Sequence, residues 1–170
     1  MMKGIKKEVA YIKNLNVQQR VGAMNGSGLR FGIVVSRFNE SLTNTLAEEA
    51  IRALRFCDVN ETQIELVRVP GAYEIPVVTE KMASTGLFDA FIVLGVVIEG
   101  ETQHAQMIID TTGAAILEMA CRYKIPIINE IVGARTREQA EVRCAVGNKS
   151  RGWYAGLAAI ETAQVLRQIG

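Results

Sequence analysis

Four short apolar runs, each followed by a stretch with helical spacing, constrain this chain more than any other feature. The first, 31–36, contains Phe31, Ile33, Val34 and Val35. The second, 64–69, is stopped by Pro70 and Gly71; the third, 90–98, is the most apolar; the fourth covers 125–132. Short runs that are apolar at successive positions read as strands buried on both faces. Between them the period changes. Leu42, Leu46, Ala50, Ala53 and Leu54 predict a helix over 40–56, and further helices are expected over 72–84, 101–123, 136–143 and 150–168. Pro76 must then lie in a first turn, and Gly86 is a natural stop. Thr136 with Gln139 three residues on has the capping-box pattern. Strands alternating with helices imply an α/β protein: a four-stranded parallel sheet between two helical layers, with right-handed crossovers.

A chain of 170 residues fits one domain with a substantial core. Residues 1–28 lack clear periodicity, and 22–28 are rich in turn formers, so they read as a flexible arm before a domain over 29–170. Nineteen basic residues against eighteen acidic ones leave a formal charge of +1, so no global field favours nucleic acid or an anionic membrane. The longest apolar run, 91–98, is too short to span a bilayer. Lys3, Lys6 and Lys7 have no apolar segment behind them, which does not read as a secretory signal, and the cytoplasm is the expected location. Cys57, Cys121 and Cys144 are widely spaced and form no CxxC or Cys/His pattern. Neither a disulfide framework nor a metal site is indicated; small helix-face hydrophobes are the simpler reading.

In a parallel sheet, ligands gather at the carboxyl ends of the strands. That rule nominates 36–39, 70–74, 98–104 and 129–130. His104 is the only histidine, placed just past the most buried strand, and a histidine there can move a proton near neutral pH. A capping or surface histidine is the plainer alternative. Gly100, Glu101 and Thr102 stand where strand becomes helix, so backbone amides and a hydroxyl could meet a single phosphate. Neither GxxxxGK[ST] nor GxGxxG is present, which argues against a nucleoside triphosphate or dinucleotide. Alone, this is an ordinary strand-to-helix turn. Phe38 could stack on a flat heterocycle or simply pack in the core. Glu74 could accept hydrogen bonds from ligand hydroxyls or only complement a helix dipole. Arg143 and Lys149 could grip a phosphate or be solvated surface cations.

Taken in order, these segments resemble the lumazine synthase family. Ser36-Arg37-Phe38-Asn39-Glu40 is similar to its opening motif, and Val69-Pro70-Gly71-Ala72-Tyr73-Glu74-Ile75-Pro76 to its second. Residues 94–104, ending in Gly100-Glu101-Thr102-Gln103-His104, resemble the third; Glu138 to Arg143, followed by Gly147-Asn148-Lys149, resemble the fourth. The resemblance implies a flavodoxin-like fold and the joining of a ribitylamino-uracil to dihydroxybutanone phosphate, with no metal or redox cofactor. It implies that Phe38 stacks on the pyrimidine and that Ala72, Tyr73 and Glu74 hold the ribityl chain. Val96, Val97 and Ile98 would line the ring pocket, with Asn129 at the ring's edge. Glu101 and Thr102, helped by Arg143 and Lys149, would bind the phosphate, and His104 would donate the proton.

The chain departs from the family pattern at Glu99, Ala105, Asn129 and Glu130, and its loop before Gly147 is short. The resemblance also implies self-association as a pentamer, with a shell of twelve pentamers and riboflavin synthase as further expected partners. Phe38 and Arg143 of one chain would then serve different sites. The rival readings are a flavin- or lumazine-binding module without chemistry, and a shell protein that has lost activity.

Overall fold

The computed structural model describes residues 16–170. Its elements run β1 (Phe31–Ser36), α1 (Glu40–Phe56), β2 (Ile64–Val69), α2 (Ile75–Ala83), β3 (Ala90–Ile98), α3 (His104–Tyr123), β4 (Ile127–Ala134), α4 (Arg137–Cys144) and α5 (Arg151–Ile169). The strands form one parallel sheet in the order β2-β1-β3-β4. The chain leaves β1 toward one edge and β3 toward the other, so the strand order reverses between these two central strands. A crevice opens at such a reversal, outside the carboxyl ends.

Alternate side chains of each strand serve opposite layers, because strand side chains alternate by face. Ile33 and Val35 of β1 pack with Leu46, Ala50 and Leu54 of α1 and Ile160 of α5. Val34, between them, packs with Ile75 of α2 and Ile116 of α3. The two central strands are buried throughout, apart from a half-buried Ile98. β2 departs from the expectation of burial on both faces: of its residues only Val69 is buried. It is an edge strand, paired with β1 alone.

Other boundaries moved for local reasons. The expected helix 72–84 divides into a 3₁₀ turn, Ala72–Glu74, and α2, whose second residue is Pro76. Residues 101–103 form a turn, so α3 begins at His104 itself. β4 starts at Ile127 and runs to Ala134, because Pro126 before it has no N–H to give to the ladder. A 3₁₀ turn at Glu61–Gln63, capped by the Asn60 side chain on the Thr62 amide, was not expected.

Residues 1–15 of the expected arm lie outside the described residues. Residues 16–28 contain no helix or strand but lie along the end of the domain. The Gly26 amide donates to the Cys57 carbonyl at 2.6 Å, and the Gln164 and Gln168 side chains donate to the Asn25 and Val21 carbonyls. Cys57 and Cys144 are buried and Cys121 is exposed. Among the described residues no helix is long and apolar enough to cross a membrane, and no group of three potential metal ligands occurs.

Candidate active site

The carboxyl ends of β1, β2 and β3 are tied together by backbone and side-chain bonds. After β1, the Arg37 amide donates to the Val69 carbonyl at 2.8 Å and the Phe38 amide to the Pro70 carbonyl at 3.1 Å. Asn39 then adopts a left-handed conformation (φ 58°), which asparagine tolerates better than most residues. Its side-chain Nδ2 donates to the Val96 carbonyl of β3 at 2.9 Å. This bond fixes the turn that carries Phe38 to the strand beside it. Asn39 was read only as part of a segment; its role follows from a contact across the sheet that sequence order does not show.

These tied ends, with the start of α3, enclose a cavity of about 720 Å³. Phe38, Ala72, Tyr73 and Glu74 line it from one side, and Val96, Val97 and Ile98 form its floor. Gly100, Thr102 and His104 line the remaining wall. The Phe38 ring is 70% exposed, which removes the core-packing alternative. Tyr73, at 56%, likewise presents its ring to solvent. Large exposed aromatics at a cavity mouth suit stacking on a flat ligand. Glu74 lines the cavity, and its Oε2 accepts from the Gly71 amide at 2.8 Å, which holds the side chain at the turn before α2. His104 opens α3, with its amide 3.4 Å from the Thr102 hydroxyl.

Met107 and Ile108 also line the cavity and were not singled out from sequence. They lie three and four residues after His104 on one helix, so they share its face. That spacing was the available signal.

Four expected residues lie elsewhere. Glu101 is exposed on the 101–103 turn and is not among the cavity's lining residues. Asn129 is exposed on edge strand β4, opposite Val93, and its Oδ1 accepts from the Ile131 amide at 3.0 Å. Arg143 lines a separate, shallower depression with Glu99, Arg135 and Gln139. Since Ile98 and Gly100 line the main cavity, the segment 98–100 divides the two spaces. Lys149 is exposed just before α5, away from the cavity.

Glu130, one of the departures, has a structural partner. Its carboxylate is 8% exposed and accepts two bonds from the Arg151 guanidinium, from Nε at 2.8 Å and Nη2 at 2.7 Å. Burial pushes its carboxyl above the usual range; the bonds and charge of Arg151, and the charge of Arg143, pull it back only in part. The same burial, with the Glu130 charge added, pushes the Cys144 thiol up to about 11. The pair is asymmetric, because the Arg151 side chain is 49% exposed and Glu130 is not. Arg151→Met leaves a buried carboxylate without its counter-ion and is expected to cost about 3 kcal/mol at pH 7. Glu130→Gln leaves an arginine that water can reach, and is expected to cost under about 1 kcal/mol.

The pH dependence has a definite sign. In Arg151→Met the folded-state pKa of Glu130 rises further above its unfolded value, so the folded protein binds the proton more tightly. The cost is therefore full above the raised pKa and fades as pH falls toward the ordinary carboxylate value. Urea unfolding of both variants at pH 7 and pH 5 tests this. Equal cost for the two, or no relief at pH 5, would overturn it.

The fold and cavity define a class first: a parallel α/β protein with an aromatic-rimmed cavity where its strand order reverses. Residues 28–167 match the model of the 6,7-dimethyl-8-ribityllumazine synthase family. The match covers most of the 170 residues, and the chain belongs to that family.

Proposed function

We propose that the chain condenses 5-amino-6-(D-ribitylamino)uracil with 3,4-dihydroxy-2-butanone 4-phosphate, forming 6,7-dimethyl-8-ribityllumazine and releasing phosphate and water. The observation that carries this reading is the convergence of Phe38, Glu74, Thr102 and His104 on one cavity from three strand ends. Phe38 stacks on the pyrimidine; Ala72, Tyr73 and Glu74 hold the ribityl hydroxyls; Val96, Val97 and Ile98 form the apolar floor. Gly100 and Thr102, just before α3, receive the phosphate, where amides and the helix dipole favour an anion. Glu101 contributes through its backbone amide, because an ionised carboxylate only accepts hydrogen bonds. His104 moves the proton as the amine attacks the ketone, the phosphate leaves and the second imine closes.

Much of the acceleration comes from holding two substrates in register, since orientation can supply an effective molarity of about 10⁵ M or more. Arg143, Lys149 and Asn129 lie away from the cavity of their own chain. They complete the cavity of a neighbouring copy in a pentamer. The surface supports such a contact: Val142 and Val146, on either side of Arg143 in sequence, are 75% and 79% exposed.

The test is to mix the two substrates with the purified protein and follow the absorbance and fluorescence of the lumazine. Product formation, with a solution mass of a pentamer or its multiple, is the expected result. Folded protein that binds lumazine or riboflavin but forms no product would make it a binding module. A full shell that binds neither substrate would make it a structural protein.

A further inference from the structure

Glu49 is a buried carboxylate on α1 that the functional reading does not use. It is 4% exposed, and a charge is kept at such a place only with partners. It has three bonds from two donors. Arg52 donates from Nε to Oε1 at 3.1 Å, and its Nη2 donates to Oε2. The third donor is distant in sequence: the Gly147 amide gives its hydrogen to Oε2 at 3.1 Å. The Arg52 guanidinium lies over the Trp153 ring of α5, 4.2 Å from its centroid. The carboxylate thus joins α1, α5 and the loop 145–149 between α4 and α5.

That loop has little else to hold it. Ala145, Val146, Asn148 and Lys149 are all exposed. Gly147 has φ +112°, a conformation that L side chains rarely adopt, so the turn of the loop is made at this residue. Its amide goes to Glu49, and its carbonyl accepts at 2.9 Å from the amide of Ser150, the N-cap of α5. Lys149 stands between these two anchored points.

We propose that Glu49 is a positioning residue, which sets the loop 145–149 and through it the placement of Lys149 toward the phosphate-bearing substrate. The inference rests on the reading of Lys149 as a phosphate ligand. A short loop cannot absorb slack, so releasing one anchor displaces the lysine next to it.

The experiment is a double-mutant cycle on the full-length enzyme, with 3,4-dihydroxy-2-butanone 4-phosphate as the varied substrate. Glu49→Met fills the buried space without accepting the Gly147 bond; Glu49→Ala is the second variant if methionine does not fold. Loss of a contact made equally in ground and transition states raises KM alone, here by about fivefold, with kcat within about twofold. Glu49→Gln, whose amide oxygen still accepts from Gly147, restores most of the loss. In a Lys149→Ala background, Glu49→Met adds nothing, and amide exchange at Gly147 is faster in Glu49→Met than in the parent. If Lys149→Ala leaves KM unchanged, the reading of Lys149 fails and the inference falls with it. If Lys149→Ala raises KM but Glu49→Met does not, or if the two effects multiply in full, only the positioning role is overturned.

Discussion

His104→Ala is expected to lower kcat by roughly 10²–10⁴-fold while the KM of each substrate stays within a small factor, the range usual for loss of one general acid/base. His104 opens α3 at the cavity wall, and its side chain is exposed. Truncating it removes a proton path without disturbing the floor formed by Val96 and Val97 or the ring of Phe38. Residual turnover is expected because binding and orientation survive. Steady-state kinetics with both substrates checks this. A variant as fast as the parent would remove the histidine from the mechanism. A folded variant that binds both substrates yet forms no product would show that proton transfer, not orientation, carries the reaction.

The largest structural effect is expected at the crossing of α1 and α5. A Cβ on Gly152 would stand 2.1 Å from the Leu46 carbonyl oxygen and 2.9 Å from its carbonyl carbon. Gly156, one turn on, faces the Ala53 side chain at 2.6 Å and the Ala50 carbonyl oxygen at 2.8 Å. The obstacles at Gly152 are backbone atoms of α1 at the buried Leu46, so no side-chain rotation relieves the clash; one helix must move. Gly152→Ala gains less than about 1 kcal/mol of helix propensity, because Gly152 lies in the first turn of α5. Overpacking against fixed backbone outweighs it, for a net loss of about 3 kcal/mol. For a chain of this length that lowers Tm by roughly 6–12 °C. Calorimetry or circular dichroism reads the shift. An unchanged Tm would mean that the two helices can part at little cost, against the dense packing of Leu46, Ala50 and Ile160.

Much of the fold was legible because each segment's period is a local property. β1, α1, β2 and β3 fall where the runs and the helical spacing put them. The misplaced ends sit where two local tendencies compete. Pro76 and the 3₁₀ turn divided α2 from its approach, and the turn at 101–103 left His104 as the first helical residue of α3. The exposure of β2 could not be read, because a strand's place in the sheet follows from pairing with partners distant in sequence.

The sequence by itself determined the alternation of strand and helix, the parallel sheet it implies, and the strand ends where polar and aromatic residues collect. Those follow from hydrophobic period and turn chemistry, which act over a few residues. Only the tertiary structure decided which of the nominated residues meet. It brought Phe38, Glu74 and His104 to one cavity and set Arg143 on the far side of the 98–100 segment. It paired Glu130 with Arg151 and gave the Gly147 amide to Glu49, 98 positions away. Proximity of this kind is set by the order of strands and the packing of helices over them, and it leaves no mark in the spacing of any one segment.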